Sequence, residues 1–221
     1  MEGPDVRIGW LIGWAIPQDW FGTFAQDAFP DARHVVVRPS REAIDELEAG
    51  APFDWVVGYS LGTLLLLSHA RRAGRLGRIA LLAPIFSFPS EEGLGGRIAR
   101  AEVQILARRL NRDPAPAFRE FRRRAGLEDI PEARTGLQQG TGPGELAWGL
   151  AQLETVRIDP VLPEGWTGWC GADDPLLDAE RLHALDPRII PLRGVTHHPR
   201  GLIDALAASM GRGLEKQAVG G

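Results

Sequence analysis

The stretch FDWVVGYSLGTLLLLSHA, residues 53 to 70, sets Ser60 between Gly58 and Gly62 where an apolar run gives way to a helical pattern. A serine in G-x-S-x-G between strand and helix sits in a strained turn that lifts its hydroxyl above the carboxyl edge of a sheet, and the flanking glycines let strand and helix approach closely. The helix that follows aims its first N–H groups and the positive end of its dipole at that hydroxyl. The pattern demands a sheet with an open carboxyl edge. It also makes Ser60 a candidate nucleophile as well as a small residue in a tight turn.

The rest of the chain supplies that sheet. VRIGWLIGWAI (6 to 16) reads as a strand stopped by Pro17, and DWFGTFAQDAF (19 to 29) as an amphipathic helix capped by Asp19. HVVVRPS (34 to 40) is a β-branched strand, and Ser40 can cap the helix REAIDELEAG, which closes at Gly50. The elbow provides a third strand and helix, and GRIALLAPIF (77 to 86) a fourth strand. Strands that are apolar along their whole length and alternate with helices predict a parallel sheet covered on both faces. From residue 87 to 156 the rhythm becomes helical, with GRIARAEVQILARRL and APAFREFRRRAGL separated by clusters such as NRDPAP and QQGTGPGE. This segment reads as a helical lid inserted into a core made of residues 1–86 and 157–221. GWTGWCGADDP (165 to 175) and RIIPLRGVTHH (188 to 198) restore two strands, PRGLIDALAASMGRGL closes with a helix, and KQAVGG reads as a frayed tail.

With 221 residues the chain suits one domain of ordinary size. No apolar run approaches the roughly 18 residues of a membrane span, and the net charge of −4 argues against bulk nucleic-acid binding. The acidic start MEGPDVRIGWLIGW lacks the positive charge of a secretory signal, and Cys170 is the single cysteine, so a cytoplasmic protein without disulfides is expected. Cys170 fits a buried strand position. Residues 97 to 124 hold nine arginines against three acids, which suits either a patch for an acidic partner or a solvated helix face.

A nucleophilic serine needs a base and an acid, and on this type of sheet they follow in the order Ser, acid, His, on loops after later strands. Asp173 or Asp174 follows GWTGWC, and His197 or His198 follows RIIPL. His34 at a strand start, His69 within the helix after Ser60 and His183 on a surface helix fit structural roles better. Charge developing on a substrate oxygen needs N–H donors. The backbone N–H of Leu61 is one, and the loop Gly13-Trp14-Ala15 after the first strand nominates that of Trp14. No metal or cofactor is called for.

With elbow, acid loop, histidine loop and Gly-Trp loop in order, the chain resembles the α/β-hydrolase superfamily across nearly its whole length. Within it the chain looks most like the pimeloyl-[acyl-carrier protein] methyl ester esterases of biotin synthesis, on the stretches GWAIPQDWF, GYSLG, LLAPIFSF, AFREFRRRAGL and ELAWGLAQLETVRI. The resemblance implies that the acid is the fourth residue of G-x-x-D, hence Asp174, and that the base precedes x-Pro, hence His197. It also implies a serine carboxylesterase acting on an acyl-carrier-protein methyl ester, with small free esters as the alternative and a non-catalytic acyl-binding protein as a further one. Arg97, Arg100, Arg108, Arg109, Arg119, Arg122, Arg123 and Arg124 become candidates for docking the acidic carrier. One departure stands in the elbow itself, where Thr63 replaces the second glycine common in the family.

Overall fold

A computed structural model describes residues 6–131 and 143–219. The elements run β1 (Arg7–Leu11), α1 (Gln18–Ala28), β2 (Arg33–Val37), α2 (Ala43–Gly50), β3 (Trp55–Tyr59), α3 (Leu61–Ser68), α4 (Ala70–Ala73) and β4 (Arg78–Leu82). Then follow α5 (Arg100–Arg112), α6 (Pro114–Ala125), α7 (Pro143–Thr155), β5 (Thr167–Gly171), α8 (Ala179–Leu185), β6 (Ile189–Leu192) and α9 (Pro199–Val219). Among the described residues six strands pair in the order β2-β1-β3-β4-β5-β6, and every pairing is parallel.

The central strands are buried from Ile8, Val56 and Ile79 onward, because helices cover both faces. Helix α3 carries Leu61, Leu64, Leu65, Leu66 and Leu67, all buried, so it is a core helix apolar all round rather than an amphipathic one. The chain first steps from β1 to β2 and then crosses back to β3. The loops after β1 and β3 therefore diverge, and an open α/β sheet places its crevice at such a reversal.

Several boundaries differ from the sequence reading. β1 ends at Leu11, and the chain from Ile12 to Ile16 is a loop in which Ala15 takes a φ of +56°. Helix α1 starts after Pro17, and Asp19 lies in its first turn, accepting from the Trp20 N–H at 2.9 Å. Ser40 accepts from the Glu42 N–H at 3.2 Å ahead of α2, whose cap position is Glu42. His69 breaks the helix after the elbow into α3 and α4. The fourth strand stops at Leu82, because Ala83, with φ +53°, turns the chain out of the sheet. Helix α9 runs to Val219, through part of the expected tail. The cluster QQGTGPGE lies largely outside the described residues.

The helices α5, α6 and α7 stand between β4 and β5. The departing and returning chain meet where Ile158 N–H donates to Phe86 O at 2.9 Å. Between them, the first part of the excursion is sewn to the loop after β5. Arg97 N–H donates to Leu176 O at 2.9 Å and Asp178 N–H to Gly95 O at 2.7 Å.

Candidate active site

Ser60 is the only residue between β3 and α3, and its φ of +53° with ψ −119° is a conformation that costs a non-glycine residue about 1–3 kcal/mol. The two glycines around it have separate tasks. A Cβ on Gly62 would stand 1.9 Å from Leu11 O, so the first turn of α3 packs directly on the end of β1. A Cβ on Gly58 would meet Thr63 Cα at 3.0 Å and Leu66 Cδ1 at 2.8 Å, so β3 and α3 close against each other only without it. Ser60 N–H donates to Leu82 O at 2.9 Å, tying the turn to the neighbouring strand.

The acid loop and the histidine loop are built as one unit. Gly171 ends β5, and a Cβ there would lie 2.3 Å from Val195 O and 2.5 Å from Thr196 O. The glycine is what lets the histidine loop cross. Ala172 N–H donates to Leu192 O at 2.8 Å and Asp173 N–H to Val195 O at 3.0 Å. This pairing buries Asp174 and His197 at 0% and 1% exposure.

His197 Nδ1 lies 2.7 Å from Asp174 Oδ2, and His197 Nε2 lies 3.1 Å from Ser60 Oγ. With Nδ1–H donated to the carboxylate, Nε2 faces the serine as an acceptor. Asp174 Oδ1 accepts the N–H groups of Leu176 at 2.7 Å and Leu177 at 3.1 Å, so both carboxylate oxygens are engaged. The other member of each doublet goes elsewhere. Asp173 is exposed, and His198 Nε2 lies 3.1 Å from Asp129 Oδ2 with its ring edge-on to Trp20 and Phe24.

The loop after β1 brings its backbone to the serine: a Cβ on Gly13 would come within 3.2 Å of Ser60 Cβ. Trp14 follows it, and Leu61, the first residue of α3, has no preceding helical turn to which its N–H could donate. These are the two nominated donors. The Trp14 indole Nε1–H donates to Leu146 O at 2.8 Å, and its ring packs edge-on to Phe121 at 4.8 Å. A Cβ on Gly149 would strike Trp14 Cδ1 at 2.6 Å, so α7 rests on this loop and α6 touches it through Phe121.

Two further residues hold the assembly. The Tyr59 hydroxyl donates to His197 O at 2.8 Å while its ring lies 5.4 Å from the imidazole. Burial first, and then the Asp174 charge, push its phenol well above the usual range, so it remains a donor. It is the single tyrosine of the chain and stands next to Ser60, a signal that was available. Arg97, grouped by the sequence with the carrier-binding arginines, gives its Nη1–H to Asp174 O at 3.0 Å and supports the acid loop.

The other arginines divide. Arg122 is 5% exposed and donates to Ile130 O at 3.2 Å, so it is an internal strut rather than part of an outward face. Arg100 donates to Glu154 O at 2.8 Å and pairs with Glu92 at 2.5 Å. Arg109 pairs with Glu120, and Arg124 with Glu102, across the α5–α6 hairpin. Arg108, Arg119 and Arg123 are exposed.

The remaining titratable candidates are structural. His34 Nδ1 accepts from Trp10 Nε1–H at 3.0 Å and its Nε2 contacts Phe29 O at 3.1 Å, with burial lowering its pKa. His69 Nδ1 lies 3.1 Å from Leu65 O, and His183 Nδ1 lies 2.8 Å from Ile189 O. Cys170 is fully buried in β5, and burial, followed by the Asp174 charge, pushes its thiol well up. Among the described residues no group of three or more His, Cys, Asp or Glu side chains could hold a metal ion. None of their helices is long and apolar enough to cross a membrane.

No protein-family model and no curated protein sequence matches the chain. Solved structures do. An esterase from Exiguobacterium antarcticum aligns over 92% of this chain and 91% of its own with a TM-score of 0.71 at 13% identity. A thermophilic esterase from Thermogutta terrifontis aligns over 97% and 91% with a TM-score of 0.66 at 14% identity. The RedJ thioesterase from the prodiginine biosynthetic pathway in Streptomyces coelicolor aligns over 94% and 90% with a TM-score of 0.59 at 19% identity. Together with the parallel six-stranded sheet, these likenesses show that the chain has the α/β-hydrolase fold.

Proposed function

We propose that this protein is a serine carboxylesterase. The observation that carries the reading is the hydrogen-bonded line from Asp174 through His197 to Ser60, which draws on three separate loops at one edge of the sheet. His197 Nε2 removes the Ser60 proton as Oγ attacks the ester carbonyl, and the Trp14 and Leu61 N–H groups take the developing oxyanion. His197 then protonates the departing alcohol, leaving an acyl-enzyme. Water, deprotonated by the same nitrogen, attacks the acyl carbon, and the acid leaves as Ser60 regains its proton. Asp174 keeps Nδ1–H directed away from the serine and stabilises the imidazolium in both steps. No cofactor takes part.

The substrate we propose is an acyl-carrier-protein methyl ester, specifically the pimeloyl-[acyl-carrier protein] methyl ester of biotin precursor synthesis, handled in the cytoplasm. Support comes from the resemblance of five stretches, and from Arg108, Arg119 and Arg123, which remain exposed on α5 and α6 to steer an acidic carrier. Residues 87–156 act in this reading as a lid. A cavity of about 150 Å³ between α5, α6 and α7, lined by Val103, Leu106, Phe121, Leu150, Leu153 and Leu176, offers room for an acyl chain. Neither Ser60 nor His197 lines it, but Phe121 touches Trp14, and Leu176 donates to Asp174.

The engagement of Arg97, Arg100, Arg109, Arg122 and Arg124 within the protein favours a second reading, in which free short-chain esters are the substrates. Turnover of carrier-bound pimeloyl methyl ester at low salt, compared with a free nitrophenyl ester, separates the two. The carrier reading expects hydrolysis of the carrier-bound ester that weakens as salt rises. Brisk turnover of the free ester with the carrier-bound ester untouched at low salt sinks it.

A further inference from the structure

We infer that Thr63 is a positioning residue of the oxyanion site, its hydroxyl holding the Ser60–Leu61 peptide so that the Leu61 N–H faces the reacting carbonyl. Thr63 is the third residue of α3 and is 0% exposed. A β-branched residue with a hydroxyl is a costly choice at a fully buried helical site unless the hydroxyl is used. Here it is used twice. Thr63 Oγ1–H donates to Ser60 O at 2.7 Å, and Oγ1 accepts the Ile85 N–H at 2.9 Å.

The consequence follows from peptide geometry. Ser60 O and the Leu61 N–H are opposite ends of one planar trans peptide, so fixing the oxygen fixes the direction of the N–H. Ser60 O receives a second donor as well, the Thr63 N–H at 2.8 Å. Two donors on one carbonyl over-determine a peptide whose first residue sits at φ +53°. The far end of the link is also held. Ile85 lies two residues beyond Ala83, whose own φ is +53° and whose N–H donates to Trp169 O at 2.7 Å. The chain Ile85 N–H to Thr63 O–H to Ser60 C=O runs in one direction. Each donor polarises the next, which makes the Leu61 N–H a stronger donor to an oxyanion. A glycine at this position, as in the common elbow, has no side chain to make this link.

This inference rests on the serine-esterase reading, and the two fail differently. The test uses the full chain with a short nitrophenyl ester, comparing wild type, Thr63→Val and Thr63→Ser by kcat, KM, melting temperature and affinity for an alkyl trifluoromethyl ketone, which forms a tetrahedral adduct. Thr63→Val is expected to lower kcat roughly tenfold to a hundredfold, less than outright loss of an oxyanion donor, with KM within about threefold of wild type. Ketone affinity should fall by the same factor as kcat/KM, and Thr63→Ser should restore both. A merely structural hydroxyl would lower the melting temperature and leave kcat per folded molecule alone. If Thr63→Val is not recovered folded, Thr63→Cys, similar in size and a weak donor, carries the same comparison. Active wild type with Thr63→Val, or Thr63→Cys in its place, within about twofold of it in kcat overturns the role of Thr63 alone. A folded wild type that neither hydrolyses the ester nor binds the ketone removes the esterase reading, and this inference with it.

Discussion

The carboxyl edge of the sheet and the α5–α6 hairpin are both rich in charged and polar groups, and they are built in opposite ways. At the edge, Asp174, His197 and Ser60 are each less than a tenth exposed, and each is bound to partners contributed by a different loop. On the hairpin, Arg109–Glu120 and Arg124–Glu102 face solvent with their side chains roughly half exposed. Buried groups are costly to leave unpaired, whereas exposed ion pairs contribute little. The edge should therefore be intolerant of single-atom changes. The hairpin should absorb whole side chains.

The doublets give that comparison its sharpest form, because buried and exposed members are adjacent in sequence. Asp174→Asn is expected to cut kcat by about 10⁴-fold and His197→Ala by at least as much, with Asp173→Asn and His198→Ala within about threefold of wild type. Steady-state kinetics on a nitrophenyl ester read all four, and a reversal within either doublet breaks the assignment. Backbone approach is the next largest effect. Gly62→Ala puts a methyl group onto Leu11 O and should destabilise by about 3 kcal/mol or more, measured by urea unfolding.

A smaller effect comes from Asp186, which closes α8 ahead of β6. Its carboxylate is held at about 2, first by the hydrogen bonds from Arg188 and then by the Leu162 N–H. The folded value lies below the ordinary 3.8, so this stabilisation is fully present above about pH 4 and disappears as pH falls through 2. Asp186→Asn should therefore cost about 1–2 kcal/mol at pH 7, after allowance for the exposed Arg188, and almost nothing near pH 2. The hairpin comes last. Arg124→Ala or Arg109→Ala should change stability by less than about 1 kcal/mol, an effect that shrinks further in salt.

Much of the edge was legible in the sequence because local chemistry dictates it. Gly58, Ser60 and Gly62 are required by a turn with a positive φ and two backbone contacts, and apolar strands alternating with helices require a covered parallel sheet. The doublets were not separable from spacing alone, since neighbouring residues share a loop and differ only in which way the chain turns there. That turn is set by Gly171 against Val195 and Thr196, a contact between segments distant in sequence. The burial of Arg122 and the link of the still-exposed Arg97 to the acid loop were hidden for the same reason. Their long side chains reach Asp174 O and Ile130 O, while composition reports only that they are charged. Ala83 stopped β4 early through a backbone angle that its side chain does not announce.

The proposed esterase chemistry turns on Ser60 being a reagent, and labelling with a fluorophosphonate followed by peptide mass analysis tests that most directly. The expected result is a single phosphonylated residue, Ser60, with labelling lost in Ser60→Ala and strongly slowed in His197→Ala while both variants keep the wild-type melting temperature. A folded wild-type chain that stays unlabelled, or that carries the label at another residue, would contradict it.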